Sequence, residues 1–287
     1  MKKFIAIDIG GTNIKFGVIG GNLEIIESGT IKTRKNENEN FILEDIDSLI
    51  SELIKRYEIL KIGISTAGVV DVESGKIVYA GSTIPGYTGT EIKSYLENKY
   101  KIEVRVENDV NAAALGENLA GAGMGSNSLF MITIGTGIGG ALVLNNEIFY
   151  GNSNSAGEIG YMRFNGEEIQ DIASTTSLVN NVNSRLGKNL NGKEIFDLAE
   201  KGNEVCIEEI DNILEKIVEL ILNIIYIINP QTIILGGGIM ERRDYVEKRI
   251  KGSLEKILPR KFYETVNIEL AKLGNKAGLI GAVSKFV

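Results

Sequence analysis

Hydrophobic and polar positions alternate along the chain with two different periods, and their order predicts an α/β protein. Residues 3–9 read as a buried strand, and glycine turns ("GGTN", "GGN") connect it to two more strand-like segments, "IKFGVIG" and "LEIIESGTIKT". These signals predict a three-stranded meander. From Phe41 to Tyr57 the apolar residues recur at helical spacing, which predicts an amphipathic helix. A strand ("KIGIST"), a helix ("TEIKSYLENKY"), a strand ("IEVRVEND") and a helix ("VNAAALGENLAG") follow.

The same order of elements restarts in the second half of the chain. "LFMITIGTGIGGALVLNNEIFYG" again reads as strand, glycine turn, strand, turn and strand, and a shift of 125 residues places 7–10 on 132–135 and Val18 on Val143. A repeat of this length is too long for a solenoid and predicts two similar α/β domains. Further helices are predicted near 174–186, 193–201, 204–228 and 241–257, strands at "TIIL" and "NIELAKL", and a last helix over "KAGLIGAVSKFV".

Composition narrows the possible chemistry. The 287 residues include no histidine and one cysteine, Cys206. A Ser-His-Asp triad and an imidazole-bound metal are therefore excluded, and acid–base work is left to Asp, Glu, Lys or Tyr. The net charge of −7 argues against nucleic acid as a partner.

The same features predict where the protein works. The apolar run at 217–228 is too short and too interrupted to span a bilayer. The first residues lack the pattern of a secretory signal, and a single cysteine suits a reducing compartment. We therefore expect a cytoplasmic protein that does not contact membranes.

One glycine-rich turn has the spacing of a dinucleotide-binding loop. Gly135, Gly137 and Gly140 satisfy G-x-G-x-x-G. Such a loop must lead into a helix whose N-terminus receives the pyrophosphate. Here a strand follows the glycines, so NAD binding is not predicted.

Two matching glycine turns in one chain favour a different use, as backbone cradles for nucleotide phosphates. The hydroxyl groups of Thr12, Thr133 and Thr136 could add donors. Asp8, beside the first turn, would face phosphate favourably only through Mg²⁺ or its waters, which hints at a metal–nucleotide site. The alternative is a pair of ordinary hairpin turns with an incidental acid.

Six segments together resemble one family. "AIDIGGTNIKFGVI", "VENDVNAAALGE", "TIGTGIGGALVLNNEIFYG", "SAGEIGYM", "NPQTIILGGGI" and "LGNKAGLIGA" have the order and spacing of the ROK family of bacterial repressors and sugar kinases. The resemblance covers nearly the whole chain. It implies two actin-like (ribonuclease-H-like) domains, 1–117 and 118–273, with 274–287 returning to the first. It also implies that ATP and Mg²⁺ bind in the cleft between them, beside a sugar.

The resemblance assigns the catalytic base to Asp109 of "ENDVNAA". On position alone Asp109 could equally be a helix N-cap. By the same resemblance Asn108 and Glu158 bind sugar hydroxyls, and Gly68 lines the sugar pocket. Gly236, Gly237 and Gly238 either admit the adenine or ribose or form a tight strand-to-helix turn. The full set predicted to contact ATP and its phosphates is Asp8, Gly10, Gly11, Thr12, Lys15, Thr133, Gly135, Thr136, Gly137, Gly236, Gly237 and Gly238.

The chain departs from the family around residue 161. The family usually has "GEIGH", whose histidine contacts sugar and binds zinc, but this chain has Tyr161. The cysteine-rich zinc segment is replaced by the short "RFNGEEIQD", so no structural zinc is expected. A glutamate that binds sugar in the family aligns with Gln170 or Asp171, and Tyr161 and Gln170 are retained as predicted sugar contacts.

The resemblance implies an ATP-dependent kinase that forms a hexose 6-phosphate, and we expect a homodimer. Loss of the zinc segment resembles zinc-less N-acetylmannosamine kinases of sialic acid breakdown. Glucokinase or another hexose or N-acetylhexosamine kinase is the alternative. A ROK repressor is disfavoured because the family's repressors carry an added N-terminal helix-turn-helix, whereas here the first strand begins by Phe4, and because the charge is acidic. A sugar sensor without activity is disfavoured by the presence of Asp109.

Overall fold

The computed structural model describes residues 2–81 and 83–287 and divides the chain into two compact units. The first unit comprises the chain up to Met124 together with Glu147–Ala156 and Asn275–Val287. The second comprises Gly125–Asn146 and Gly157–Gly274. Residues 118–124 and 147–156 therefore group with the first unit, whereas the sequence boundaries had assigned them to the second domain.

The first unit is built on a five-stranded mixed sheet. Its strand order is β3-β2-β1-β4-β7, with β1 antiparallel to β2 and parallel to β4, and β4 parallel to β7. A separate two-stranded hairpin, β5-β6, was not predicted from the sequence. The strands of this unit are β1 (Lys3–Ile9), β2 (Asn13–Gly20), β3 (Ile25–Lys32), β4 (Lys61–Thr66), β5 (Val69–Asp71), β6 (Lys76–Tyr79) and β7 (Glu103–Asn108).

The second unit repeats this sheet plan in the order β9-β8-β13-β14, with β8 antiparallel to β9 and parallel to β13, and β13 parallel to β14. The predicted α/β class is confirmed. The segment expected to be a full third strand of the second meander forms only two residues of strand, β10 (Glu147–Ile148). The remaining strands are β8 (Ser128–Ile134), β9 (Ile138–Leu144), β11 (Arg163–Phe164), β12 (Glu167–Glu168), β13 (Thr232–Gly236) and β14 (Asn267–Leu270).

Amphipathic helices cover the sheets and close a large apolar core in each unit, and the first unit has a further small cluster of Phe4, Ala6, Ile19, Leu279 and Val283. The most apolar helix, α7, contributes a long buried face to the core of the second unit. None of the helices within the described residues is long and apolar enough to cross a membrane. The helices are α1 (Ile42–Arg56), α2 (Ile92–Tyr100), α3 (Asp109–Ala120), α4 (Ile169–Ala173), α5 (Thr175–Leu186), α6 (Gly192–Glu200), α7 (Glu204–Ile228), α8 (Arg243–Ile257), α9 (Arg260–Tyr263) and α10 (Ala277–Ala282).

Two helices of the first unit, α3 and α10, pack unusually closely. A Cβ at Gly281 of α10 would overlap the backbone oxygen of Ala112, and a Cβ at Gly116 of α3 would overlap the backbone oxygen of Ala277. Both positions therefore require glycine because backbone approaches backbone there. This contact holds the start of α3, where the predicted base lies, against the C-terminal part of the chain.

Candidate active site

In the first unit, the parallel strands β1, β4 and β7 end at the same level. Their register places Ile9 beside Thr66 and Thr66 beside Asn108. The Gly10–Thr12 turn, Gly68 and Asp109 therefore follow the carboxyl ends of neighbouring strands, the edge at which open α/β sheets bind ligands. The structure thus brings together the residues predicted for the first glycine turn, the base and the sugar pocket.

Asp8 lies one residue before this edge and is held by two partners. Ser65 Oγ donates a 2.7 Å hydrogen bond to Asp8 Oδ1, and Lys15 Nζ lies 3.5 Å from Asp8 Oδ2. Lys15 also donates to Asn275 Oδ1 at 3.1 Å. The side chain of Asp8 is 19% exposed, so one face of this paired carboxylate can still be reached from solvent.

The Gly10–Thr12 turn is fixed by its own backbone and by Thr33. Gly10 N donates to Asn13 O at 3.0 Å, so this amide closes the turn. Thr33 Oγ1 donates to Gly10 O at 2.7 Å, and Thr33 N donates to Thr12 O at 3.0 Å. Amide donation to a phosphate at this turn therefore falls to Gly11 and Thr12.

Asn108, and not Asp109, is the N-cap of α3. Asn108 Oδ1 accepts from Val110 N at 2.9 Å and Asn111 N at 3.1 Å, which satisfies two amides of the first turn. Asn108 Nδ2 donates to Gly68 O at 3.0 Å and to Asp109 Oδ1 at 3.1 Å. Both ends of this amide are used within the protein, so Asn108 positions Asp109.

Asp109 is the first residue of α3, where the helix dipole favours a negative charge. Its Oδ1 accepts from Asn108 Nδ2 and, at 2.9 Å, from Val110 N. These two bonds fix the carboxylate plane. Of the two interpretations that the sequence left open for Asp109, the N-cap role belongs to its neighbour.

Three polar residues of this region were not singled out from the sequence: Ser65, Tyr87 and Glu107. Tyr87 is 1% exposed, and its hydroxyl lies 2.6 Å from Thr66 Oγ1. Burial raises the pKa of Tyr87, and the charge of Asp109 acts in the same direction. Ser65 and Glu107 are the penultimate residues of β4 and β7, and a polar residue so close to a predicted strand end was the available signal.

In the second unit, the turn after β8 lies against the start of α5. Thr175 N donates to Gly135 O, and Thr176 Oγ1 donates to Thr136 O, both at 2.9 Å. An open cavity of about 190 Å³ adjoins this turn. It is lined by Thr136, Gly137, Gln170, Asp171, Ser174, Thr176, Ser177 and Asn180.

This lining consists of glycine, hydroxyl and amide groups with one carboxylate. Gln170, predicted as a sugar contact, lies in it and donates to Glu168 Oε2 at 2.8 Å. Thr133 is paired with Gly236 in the register of β8 and β13, so Gly236–Gly238 follow the strand end next to the turn. The structure therefore groups the second glycine turn, the Gly236–Gly238 segment and Gln170 in one unit.

Gly237 and Gly238 divide the two roles that the sequence left open for the glycines 236–238. A Cβ at Gly237 (φ +94°) would overlap the backbone of Ile134, so this glycine is required for the strand-to-turn packing. A Cβ at Gly238 would meet nothing within 4 Å. Space for a ligand group is therefore found at Gly238, and tight packing at Gly237.

Glu158 precedes a short 3₁₀ turn, Ile159–Tyr161, and Tyr161 is its last residue. Glu158 is exposed, and desolvation of its carboxyl group by the surrounding protein raises its pKa. Tyr161, which stands where the family has histidine, is 49% exposed. The segment that replaces the zinc region forms the β11-β12 hairpin, closed by a 2.9 Å bond from Ile169 N to Met162 O.

The donor set fits a magnesium ion that arrives with a nucleotide. Within 2–81 and 83–287, no group of three or more Cys, Asp or Glu side chains could hold a metal by itself. Mg²⁺ in phosphoryl-transfer sites is usually held by one or two carboxylates together with substrate phosphates. Asp8, partly exposed and beside a glycine turn, can supply such a carboxylate.

Comparisons with known proteins identify relatives along nearly the whole chain. The ROK family profile matches residues 4–286. An uncharacterized protein of Clostridium perfringens is 46% identical over 100% of this chain and 98% of its own length. A beta-glucoside kinase of Listeria monocytogenes is 31% identical, with coverage of 99% and 97%.

Solved structures give the same picture. A Listeria monocytogenes protein proposed to be an N-acetylmannosamine kinase superposes with a TM-score of 0.87 at 29% identity, covering 99% of this chain and 98% of that one. A ROK glucokinase from Streptomyces griseus, in complex with glucose and AMPPNP, gives a TM-score of 0.84 at 26% identity, with coverage of 98% and 97%.

Proposed function

The chain belongs to the ROK family, and we propose that it is an ATP-dependent kinase that phosphorylates the 6-hydroxyl of a hexose, preferentially N-acetylmannosamine. The family match and the named kinase relatives support sugar phosphorylation. One observation carries the mechanism: Asp109 directly follows the carboxyl end of β7, and its Oδ1 is fixed by two donors.

Asp109 orients the sugar 6-hydroxyl and takes its proton. Its Oδ1 is held by Asn108 Nδ2 and Val110 N, and the carboxylate group so held accepts the hydroxyl proton. The hydroxyl oxygen forms a bond to the γ-phosphorus, the bond from that phosphorus to the β–γ bridging oxygen breaks, and ADP leaves. The transition state is loose, so positioning supplies much of the rate and the base adds about 10²–10⁴-fold.

The nucleotide phosphates are assigned to the two glycine turns. In the first unit, the amides of Gly11 and Thr12 are the proposed donors, with Lys15 as a charge partner. In the second unit, the turn at Thr136 and Gly137 adjoins a polar cavity of about 190 Å³. Mg²⁺, when bound, neutralises the developing charge on the phosphate oxygens, and Asp8 is the residue that would hold it.

The choice of sugar rests on the region around Tyr161. The β11-β12 hairpin is short, and its sequence lacks the cysteines of the family's zinc segment, a feature that resembles zinc-less N-acetylmannosamine kinases. A structural neighbour proposed to have that activity supports the same choice. Glucose is the second candidate because relatives named glucokinase match 97% of the chain at 28% identity.

We also propose that the protein is a cytoplasmic homodimer that does not bind nucleic acid. Light scattering tests the dimer, since a mass of one chain would contradict it. A mobility-shift assay with a DNA fragment at moderate salt tests the last point.

A coupled ADP-release assay tests the activity directly. Purified protein is given Mg²⁺, ATP and, in separate reactions, N-acetylmannosamine, N-acetylglucosamine, glucose, mannose or fructose. We expect the highest kcat/KM with N-acetylmannosamine, and phosphorus NMR of the product should show a 6-phosphate. Turnover highest with glucose would move the preference to the second candidate. No sugar-dependent ADP release with any of the five would contradict the kinase proposal.

A further inference from the structure

Glu107 is a partly buried carboxylate at the penultimate position of β7, directly before Asn108, the N-cap of α3. Its Oε1 accepts from Asn108 N at 2.9 Å and Asn111 Nδ2 at 3.0 Å. Its Oε2 accepts from Tyr150 OH at 2.6 Å. Three donors converge on these two oxygens.

The number of donors indicates the protonation state in which Glu107 satisfies its partners. A carboxylate that receives three hydrogen bonds has no need to donate, so the charged form satisfies every partner. Burial raises the pKa of Glu107, and the bonds from Tyr150, Asn111 and the Asn108 amide oppose that rise. Removal of one donor would therefore leave a partly buried charge undersatisfied and would shift its neighbours.

Tyr150 comes from a distant part of the sequence. It lies in the Glu147–Ala156 segment, which follows β9 in the chain but belongs to the first unit. Lys285 forms an ion pair with Glu147 at the start of the segment, and Ala156 N donates to Tyr150 O at 3.1 Å. The segment is thereby anchored, and it presents the Tyr150 hydroxyl to Glu107.

We propose that Glu107 and Tyr150 are positioning residues for Asp109, an inference that rests on the proposed role of Asp109 as base. The connection is continuous: Tyr150 OH fixes Glu107, Glu107 fixes the Asn108 backbone, and Asn108 Nδ2 fixes Asp109 Oδ1. A shift of about 1 Å in a catalytic group can cost on the order of 10²-fold in rate. This chain of bonds therefore sets the direction in which the base faces.

Removal of one hydroxyl tests the idea with little disturbance. We expect Tyr150→Phe to lower kcat about tenfold while KM for sugar and ATP changes less than about threefold, because a misdirected base affects the transition state more than binding. Tyr100→Phe is the matched control, since Tyr100 OH also donates to a carboxylate of the same unit, Asp47 Oδ1, at 2.8 Å. It should lose similar thermal stability and keep wild-type kcat. Equal kcat for Tyr150→Phe and wild type would overturn the inference.

Substitutions of Glu107 separate geometry from charge. A glutamine can accept from Asn108 N and Asn111 through its oxygen and donate to Tyr150 through its amide, so we expect Glu107→Gln to stay within about threefold of wild-type kcat. Glu107→Ala removes both acceptors and should lose about 10²-fold. If Glu107→Gln were as slow as Glu107→Ala, charge and not position would be the role of Glu107. Failure of the kinase proposal would appear separately, as a wild-type protein without turnover.

Discussion

The first and second units place matching rows of residues at the ends of matching strands, and the rows differ in chemistry. In the first sheet, Asp8 lies beside Ser65 and Ser65 beside Glu107. In the second sheet the corresponding pair is Thr133 beside Gly236. One edge carries carboxylates and their partners, and the other carries small neutral residues. We infer that the duplicated scaffold assigns proton transfer to the first unit and leaves backbone donors and space in the second.

The two glycine turns also differ in length. Ile9 pairs with Ile14 across the first turn, whereas Ile134 pairs with Ile138 across the second, so the second turn is one residue shorter. The sequence shift of 125 residues therefore fails after the turn. Val18 lies opposite Ile5, and its counterpart opposite Phe130 is Leu142, not Val143 as the repeat predicted. A shorter turn brings its backbone closer to the strand ends.

Replacement of the proposed base is the strongest test of the inference that the first unit carries out proton transfer. Asp109→Asn keeps the side-chain shape and an acceptor for Asn108 Nδ2 and Val110 N but cannot take a proton. We expect kcat to fall about 10²–10⁴-fold. Calorimetry should show that sugar binding persists. An unchanged kcat would show that Asp109 is not the catalytic base.

A matched control comes from the second unit. Asp244 is an exposed acid in the first turn of α8, the same kind of helix position as Asp109. Asp244→Asn should leave kcat unchanged. If both variants lost activity equally, the effect would stem from helix starts in general.

The order of strands and helices was predictable because buried strands and amphipathic helices differ in period. The short elements could not be predicted from the sequence. The β5-β6 hairpin has too few residues to show a period, and β10 stops after two residues although "EIFYG" continues as apolar and aromatic. The reason is tertiary, since Tyr150 donates to Glu107 and thereby draws that segment into the first unit.

Site residues were predictable where a strand end or a glycine turn marks them. The choice of N-cap was not, because Asn and Asp cap helices about equally well and "END" offers both. Only the bonds from Val110 and Asn111 to Asn108 decide it. Tyr87 was not predicted because a single polar group in a buried segment carries no periodic signal.

The charge of Asp8 is the second point at which the two rows differ. Asp8→Asn keeps the acceptor for Ser65 but removes the charge that would hold Mg²⁺. We expect the Mg²⁺ concentration at half-maximal rate to rise about 10–100-fold, the usual cost of losing a group that supports a metal. Titration of Mg²⁺ at fixed ATP and sugar measures it. Asp71→Asn, in a turn of the same unit, should not move the curve. An unaltered curve for Asp8→Asn would make Asp8 a structural partner of Lys15.

The close contact of α3 and α10 is specific to the first unit. Gly281→Ala places a methyl group against the backbone oxygen of Ala112, which cannot rotate away. Overpacking of this kind typically costs about 1–3 kcal/mol, so the urea midpoint should fall. Because α3 begins at Asp109, we also expect a lower kcat at temperatures where the protein is still folded. A midpoint equal to wild type would show that the helices can separate at no cost.

The raised pKa of Glu158, in the second unit, predicts that the KM for sugar and the folding stability depend on pH. Desolvation by the surrounding protein raises its pKa above the ordinary 4.5, so its proton is bound at higher pH than in an unfolded chain. As pH falls through the raised pKa, Glu158 becomes protonated and can no longer act as a charged acceptor for a sugar hydroxyl. The KM for sugar should therefore rise at low pH. Folding stability changes with the opposite sign, since it falls as pH rises through that pKa.

Glu158→Gln should therefore raise sugar KM about three- to tenfold at neutral pH, the loss of one hydrogen bond, and should flatten the acid limb of the KM profile. The same variant should be slightly more stable at neutral pH, because it removes a charge that the surrounding protein desolvates. A KM profile that kept its acid limb would assign that limb to another group.

The smallest expected effect is a stabilisation by Gly252→Ala, opposite in sign to the destabilisation expected for Gly281→Ala. Gly252 lies inside α8 of the second unit, and a Cβ there would meet nothing within 4 Å. Its glycine therefore serves no packing purpose, and Gly252→Ala should stabilise the protein by about 0.5–1 kcal/mol through helix propensity alone. Urea unfolding followed by circular dichroism measures both variants. If Gly281→Ala lowers the free energy of unfolding and Gly252→Ala raises it, the glycine in α10 is required by the backbone contact there. If Gly252→Ala lowers it, α8 packs against another part of the protein at this position.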